Sequence, residues 1–542
     1  MTLANRYWVL SLMLLFGSIA PTHAESAPVN PKVLHIINRL SFGPRPGDIK
    51  KVDSIRVEGY IKQQLHPDFI PEQESLTSQL SQLETLGLNP VQLREYAGII
   101  PPGVTSDREK RQALKKQTLQ IFNETIKSRL LRATSSNRQL QEVMVDFWYN
   151  HFNVDGSQGQ TQIWVGAYEQ EAIRPHTLGR FRNLLGATAH HPAMLIYLDN
   201  SKNKVINHRP GVNGKVAGLN ENYARELMEL HTLGVDGGYT QKDVIALARI
   251  LSGWGIVTHQ NQNQNNGSGF EFNPKRHDFG DKVFLGHLIK GSGEAEGEEA
   301  LDILARSPAT AHYISYKLAQ YFVADNPPKP LVEKLTRRYL ATNGYIREVL
   351  NTLFQSSEFW DEKNFNNKFK TPYQYGISLV RATGMELNNT KPIIGLFEQL
   401  AMPLYGCPTP DGYKNTKEAW LNPDAIIRRL SFATAIANGS LNISSLPPQK
   451  NPEQLKEQEA KKAIPFVNHG NLTIFSPTGL MKPITTKASQ PIKANQSIAV
   501  DYEQLINTLG NSFSPQTKKV IAISSPEIRS GLILGSPEFM RR

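Results

Sequence analysis

The strongest constraint on the fold is a set of helix start signals in which a capping residue is followed at once by proline. A Ser, Thr or Asn side chain can accept a hydrogen bond from the free N–H groups of a first helical turn. Proline suits the first helical position because an N–H there would have no intrahelical partner. The signals are Ser307-Pro308, Thr371-Pro372 and Asn422-Pro423, and Thr240 with Asp243 forms a capping-box-like pair. These signals, with long runs of strong helix formers between them, predict a mainly α fold.

One short region differs and predicts a small β element. Phe270–Phe272 and residues 283–285 flank the polar sequence NPKRHDFGDK, which indicates a short hairpin or two small strands near 270–286. We expect this element to lie at the edge of a polar cleft. No strand followed by a glycine-rich loop occurs, which disfavours a dinucleotide-binding fold and leaves no nucleotide motif.

Composition divides the 542 residues into four parts. Residues 1–24 are expected to be a signal peptide, and residues 31–440 a large multi-helix body. Residues 445–500 are rich in Pro, Lys and Gln, which is typical of a linker or a long excursion. Residues 501–542 are expected to form C-terminal helices that dock back onto the body.

The N-terminus carries the features of an export signal. Arg6 gives a positive start, residues 7–20 are almost wholly apolar, and small residues at positions 22 and 24 suit cleavage. An uncleaved membrane anchor is the alternative, but the apolar run is shorter than the roughly 20 residues that span a bilayer. We therefore expect cleavage near Ala24, a periplasmic or secreted protein, and no membrane span in the mature chain.

The single cysteine, Cys407, excludes an intramolecular disulfide framework and a zinc site built from several thiolates. We interpret it as a buried apolar side chain. No CxxCH sequence occurs, which excludes haem attached as in c-type cytochromes. The formal net charge of +11 favours an acidic protein or polymer as partner. The basic residues are dispersed, which disfavours a dedicated nucleic-acid module.

The first candidate site lies in the segment 218–255. On a helix, Asn222, Glu226 and Glu229 form a polar stripe with Arg225 beside it. A solvated stripe with an internal Arg–Glu pair explains these residues without any function. The alternative is a pair of catalytic carboxylates, Glu226 and Glu229, facing a cleft in which Arg225 and Asn222 bind substrate.

Two histidines are further candidates for catalysis. His151, in DFWYNHFNVDG, points with apolar neighbours towards the interior, where it is either a core histidine bonded to a carbonyl or an acid, base or metal ligand. His277 and Asp278 lie in PKRHDFGDK, a sequence that also suits a turn without function. A divalent metal, if the protein binds one, would be held by Glu226, His151 and His277.

A fourth cluster lies in HIINRLSFGPRPGD. There His35, Asn38 and Arg39 share one helical face at i, i+3 and i+4 spacing. We interpret this cluster as structural.

These segments together resemble one bacterial family, the domain-of-unknown-function family 1800. The ordered motifs are HIINRLSFGPRPGD, FWYNHFNVDG, ENYARELMELHTLGVDGGYTQKDV with SGWG, HDFGDKVFLG, SPATAHYISYKLAQYFV and SPEFMRR. The resemblance runs from about Pro31 to the last residue. It implies a large, predominantly helical, commonly exported protein, often encoded beside a second secreted family that looks distantly like sulfatases and alkaline phosphatases. It supplies no activity, so no catalytic residue is carried over.

Two functional hypotheses remain open. The first is an exported hydrolase-like enzyme, with or without a metal, that acts on an anionic or polysaccharide-type polymer of the cell envelope. It predicts that Glu226, Glu229, His151, His277 and Asp278 converge in one cleft. The second is a non-enzymatic exported scaffold or accessory partner of the neighbouring secreted protein, in which the polar motifs are structural networks. Polar residues grouped around buried histidines favour the enzyme.

Overall fold

The computed structural model describes residues 29–98, 108–157, 159–205, 218–257, 267–444 and 499–542. The predicted signal peptide, nearly all of the predicted 445–500 linker, and most of an Asn/Gln-rich loop around 258–269 lie outside these residues. The described chain is mainly α-helical and carries two small antiparallel two-stranded sheets, which confirms the predicted fold class. Among the described residues, no helix is both long enough and apolar enough to cross a membrane.

The helices fall into four runs along the sequence. The first run is α1 Pro31–Leu40, α2 Asp48–Gln64, α3 Glu74–Ser81, α4 Pro90–Tyr96, α5 Arg108–Ser135 and α6 Gln139–His151. The second is α7 Val165–Ala167, α8 Phe181–His190, α9 Pro192–Tyr197, α10 Asn222–Glu226 and α11 Gln241–Ile250. The third is α12 Glu294–Arg306, α13 Pro308–Phe322, α14 Lys329–Ala341, α15 Ile346–Phe354 and α16 Pro372–Thr383. The fourth is α17 Lys391–Gln399, α18 Lys417–Trp420, α19 Pro423–Ala437, α20 Tyr502–Leu509, α21 Pro515–Ile523 and α22 Pro526–Leu534.

The predicted start signals act as helix caps. The side chains of Thr240, Ser307, Thr371 and Asn422 each accept a hydrogen bond from a backbone N–H of the following first turn. Thr240 completes its capping box with Asp243. Since each cap satisfies an N–H that the helix itself leaves free, it fixes where that helix begins.

In the part of the chain that the structure describes, two stretches wind as π-helix. One is Tyr168–Ile173, and the other is Leu227–Thr232, which continues α10. A π turn accommodates an additional residue and is frequent at functional sites. Both stretches place polar groups next to α6, as described below.

The strands occur where the sequence predicts them but pair differently. Phe270–Phe272 pairs with Trp254–Ile256, and Lys282–Phe284 pairs with His287–Ile289. Of the two predicted forms, a short hairpin or two small strands, the structure has the second, because the two strands lie in separate sheets, and Lys282–Phe284 forms a small hairpin with His287–Ile289. The intervening residues form a 3₁₀ turn at Pro274–Arg276 and a buried ionic cluster instead of a hairpin turn.

Residues from both ends of the described chain complete the core. The segment 536–542 follows α22 and bonds to residues 368–370, through Lys370 N to Met540 O at 2.9 Å and Arg542 N to Lys368 O at 2.8 Å. Phe539, Met540 and Arg542 are all buried. The C-terminal helices thus lie on the helical body, with α22 packed along α19.

Candidate functional site

A cavity of about 480 Å³ opens between α6 and α13. We call it the α6–α13 cavity. Its lining residues are Asp146, Phe147, Asn150, His151, Leu230, Val235, Tyr313, Tyr316, Lys317, Gln320, Tyr321, Thr371, Gln374, Met402, Asp411, Tyr413, Lys414, Asn415 and Thr416. A concave site with an apolar wall and a few polar groups is the usual form of a small-molecule site.

His151 ends α6 at the wall of this cavity and is buried. Its Nε2 lies 3.0 Å from the carbonyl oxygen of His231, at the end of the second π stretch. A carbonyl oxygen only accepts, so Nε2 carries the proton and Nδ1 carries a lone pair. Nδ1 is buried and has no hydrogen-bond partner. Burial, followed by the charge of Lys317, holds the pKa of His151 well below its usual range, so the imidazole is neutral.

Lys317 contributes a cation to the same cavity from the middle of α13. Its ammonium lies over the ring of Tyr313 at 5.4 Å. In the described part of the chain, Lys317 forms no hydrogen bond and no ion pair. Burial lowers its pKa to about 8, and the charge of Asp411 only partly opposes this. An ammonium without an ion-pair partner suits a ligand that carries negative charge.

Asp146 connects the cavity to a buried ionic network. Its Oδ1 accepts from Nη2 of Arg129 at 2.9 Å, and its Oδ2 accepts from the Tyr321 hydroxyl at 3.4 Å. Arg129 also donates to Glu169, in the first π stretch, at 3.0 Å. Burial raises the pKa of Asp146, although Arg129 opposes this. Because Arg129 already compensates the charge of Asp146, this carboxylate does not neutralise Lys317.

A loop held by Asn150 forms the opposite rim. Asn150 Nδ2 donates to Tyr413 O, and Tyr413 N donates to Asn150 Oδ1, both at 2.8 Å. This loop places Asp411 and Lys414 at the cavity, where they pair with each other at 2.7 Å. Nearby, Cys407 is buried, as predicted.

The predicted glutamate stripe lies at α10 and the second π stretch. Glu229 accepts from the Tyr239 hydroxyl at 2.5 Å and lies 3.8 Å from Arg225. Arg225 also donates to Gln241, and Asn222 donates to a backbone carbonyl, so both are held within the protein. Glu226 accepts no hydrogen bond from a described residue. Burial, then Glu229, raises its pKa.

His277 and Asp278 belong to a different, closed cluster. Both ring nitrogens of His277 face acceptors, with Ser252 O at 2.7 Å and Glu296 Oε1 at 2.9 Å. Lys282 pairs with the other oxygen of Glu296 at 2.5 Å, and these side chains are wholly buried. Asp278 accepts from Nε of Arg249 at 2.7 Å. Neither His277 nor Asp278 lines the α6–α13 cavity.

The structure does not bring the expected metal ligands together. Among the residues described, no group of three or more His, Cys, Asp and Glu side chains is arranged to hold a metal ion. The physical reason lies in the histidines. Nε2 of His151 is bonded to a carbonyl, and both nitrogens of His277 are used within its own cluster. The donor set Glu226, His151 and His277 therefore does not fit a shared metal.

Sequence reasoning missed the groups on α13 and α16. Lys317, Tyr321 and Gln374 line the cavity but were not among the predicted site residues. A signal was present for Lys317, since Tyr313, Ile314 and Tyr321 lie three or four positions from it and so share its face of α13. A lysine on an otherwise apolar helix face needs a polar surrounding or a ligand.

The fold and the cavity first define a class: a large, mainly α-helical protein with an open, largely apolar cavity that holds a cation without an ion-pair partner and a neutral histidine. The chain belongs to the family described as "Protein of unknown function (DUF1800)", whose model matches residues 35–541. This is the family that the ordered motifs resemble. Comparison with curated proteins and with solved structures gave no match.

Proposed function

We propose that this protein is an exported enzyme that binds an anionic substrate in the α6–α13 cavity and hydrolyses it by acid–base chemistry. The observation that carries the proposal is the unpaired, unprotonated Nδ1 of His151 in the wall of a cavity that also holds an unpaired ammonium group. A neutral imidazole is the commonest general base in enzymes.

Each group has one role in this mechanism. Lys317 binds the negative charge of the substrate. Nδ1 of His151 takes a proton from the attacking water and later returns it to the leaving group, so the base is regenerated. The bond from Nε2 to His231 O fixes the tautomer and the ring orientation. Glu226, His277 and Asp278 take no direct part, and an envelope polymer remains our expected substrate class.

Chromogenic anionic substrates test this function. We expect purified protein to hydrolyse at least one of 4-nitrophenyl phosphate, sulfate and glucuronide. His151→Gln keeps an N–H donor for His231 O but lacks the base, so kcat should fall about 10²-fold or more. Lys317→Met should mainly raise KM, because it removes binding of the charged group. KM of the native protein should also rise as the pH passes about 8, where Lys317 loses its proton.

Matched variants serve as controls for the same assay. His312→Gln and Lys334→Met change exposed residues outside the cavity and should leave both constants unchanged. Equal activity of His151→Gln and the native protein would overturn the assignment of the base.

Export is proposed from the sequence of residues 1–24 alone. The protein recovered from the periplasm or medium should have the mass of a chain that begins near Glu25. Full-length protein confined to the cytoplasm would contradict export without bearing on the cavity.

A second candidate is an accessory protein that binds the same anionic ligand without turnover. It is favoured by the closed His277–Glu296–Lys282 cluster, since motif residues predicted to be catalytic have a structural role there. Binding of a probe to the native protein, lost in Lys317→Met but without hydrolysis, would identify this candidate.

A further inference from the structure

A second, smaller cavity lies between α1 and the residues that follow α20 and α22. We call it the α1 cavity. It has a volume of about 110 Å³, and its wall includes His35, Asn38, Lys370, Ser512, Glu538 and Phe539. This volume is enough for a small ion or a few water molecules. The His35–Asn38 face of α1, which the sequence motifs led us to interpret as structural, therefore lines this cavity.

Lys370 supplies hydrogen-bond donors to the α1 cavity. Its side chain is buried, and Nζ donates to Phe539 O at 2.8 Å. As an ammonium, Lys370 has three N–H groups, and no other oxygen or nitrogen acceptor for Nζ occurs among the described residues. Nζ also lies over the Phe539 ring, 4.3 Å from its centre, which leaves at least one N–H group free for an oxygen in the cavity. Burial, then the charges of Arg542 and Arg429, holds the pKa of Lys370 well below its ordinary value, and an adjacent anion would oppose this.

The surroundings of Lys370 carry a surplus of buried positive charge. Arg39, Arg429 and Arg542 are buried close by and bond to backbone carbonyls, with Arg429 donating to Lys370 O at 2.9 Å. None of these four cations forms an ion pair with a carboxylate in the described part of the chain. Each arginine also has at least one buried N–H without a partner. A buried charge without a counter-ion is costly, so an anion here would stabilise the fold.

His35 supplies an acceptor to the same cavity. Its Nε2 donates to Phe359 O at 3.0 Å, which leaves a lone pair on Nδ1. Nδ1 is buried and has no partner. Burial, then the charge of Arg39, lowers the pKa of His35 to about 2, so the ring stays neutral beside an anion.

We propose that the α1 cavity binds inorganic phosphate, whose oxygens accept from Lys370 and whose remaining O–H donates to Nδ1 of His35. Phosphate keeps at least one proton near neutral pH, whereas sulfate and carboxylates keep none. The one carboxylate in the wall, Glu538, accepts from Ser514 N at 3.0 Å and from the Thr517 hydroxyl at 3.1 and 3.0 Å. Glu538 is thus held by its own donors, and the wall also carries the two cations Lys370 and Arg541.

Thermal unfolding of the full protein in phosphate and in sulfate tests the site. At equal ionic strength and pH 7.5, we expect millimolar phosphate to raise Tm by roughly 2 °C more than sulfate does. Sulfate is the sharper control because it stabilises proteins in general through exclusion from their surface. Equal shifts in the two salts would overturn the proposal.

Two serine variants place the effect in the cavity. Ser512→Phe fills the exposed mouth without touching the buried cations, and it should abolish the extra rise with phosphate. Ser75→Phe makes the same change on an exposed position of α3 and should retain the rise. An extra rise that survives Ser512→Phe would overturn the location. A larger shift with methyl phosphate than with phosphate would overturn the free ion as ligand.

Discussion

At the scale of single residues, Lys317 is the side chain whose surroundings most oppose its charge. Its pKa falls from 10.5 to about 8 in the folded protein. Between these two values the unfolded chain binds more protons than the folded chain, so stability rises with pH. Below about pH 8 the full cost of holding this charge in the cavity is present. The same charge is what the proposed substrate would neutralise.

We therefore predict that Lys317→Met stabilises the protein near pH 7 and that this gain shrinks as the pH approaches about 10. The free energy of unfolding from urea titrations of both proteins, measured across this range, checks the prediction. Lys334→Met is the control, since an exposed lysine should give a difference that does not vary with pH. A gain in the free energy of unfolding that does not vary with pH would show that folding does not lower the pKa of Lys317.

The sequence predicts single residues well only where their partners are near in sequence. His151 was a correct choice of buried histidine, and its position at the end of α6 follows from helical periodicity. His277 looked equally suitable, but its partner Glu296 lies on α12, and no local pattern shows that this carboxylate meets the ring. The opposite error occurred at Lys317, whose role depends on α6 and the 411–416 loop, both distant in sequence.

At the scale of elements, helix starts were predictable because caps are local. Ser307 accepts from the N–H of the residue two positions later, and Asp243 accepts from the N–H of Thr240, three positions earlier. The π stretches were not predictable, because the residue types in Leu227–Thr232 also occur in ordinary α-helices. The strand partners were also missed, because Trp254–Ile256 lies beyond the Asn/Gln-rich loop from Phe270–Phe272.

Contact between α12 and the first sheet gives a prediction at this scale. A Cβ on Gly297 would lie 2.0 Å from Cζ2 of Trp254, a side chain that is wholly buried. Gly297→Ala should therefore destabilise the protein by about 1–3 kcal/mol, because the indole has no room to move. Gly395→Ala, in α17, meets nothing within 4 Å and should be neutral or stabilise by up to about 1 kcal/mol. Chemical denaturation of the two variants checks both signs. The same change in stability for both variants would show that contact with Trp254 does not decide the effect of Gly297→Ala.

At the scale of the whole molecule, closure of the core depends on the segment 536–542. The sequence predicted helices that return to the body, and the boundaries 31–440 and 501–542 remain predictions. What the sequence did not show is the antiparallel bridge between Phe369 and Arg541. Such pairing joins residues more than 170 positions apart and has no local signal.

Truncation of one side chain tests how much the segment 536–542 contributes to stability. Met540 is buried beside residues 368–370, so Met540→Ala should lower the free energy of unfolding by about 2–5 kcal/mol. Ile523→Ala removes a side chain of similar size from a position that is 77% exposed and should have little effect. Urea unfolding measures both. A small loss for Met540→Ala would mean that the segment lies on the surface of a core already complete without it.

The meeting of distant segments has a consequence for biosynthesis. Gly510 packs against Val29 and Leu34, and His35 lines the same cavity as Phe539. Residues near the start of the described chain therefore make these contacts only after the last residues have been translated. A nascent chain on the ribosome cannot close this core while the codons near position 540 are unread. Completion of this part of the core then follows translation, while helices that pack on near neighbours in sequence can form earlier. Until that point the apolar faces that the last segment covers stay exposed, and such faces are what chaperones bind.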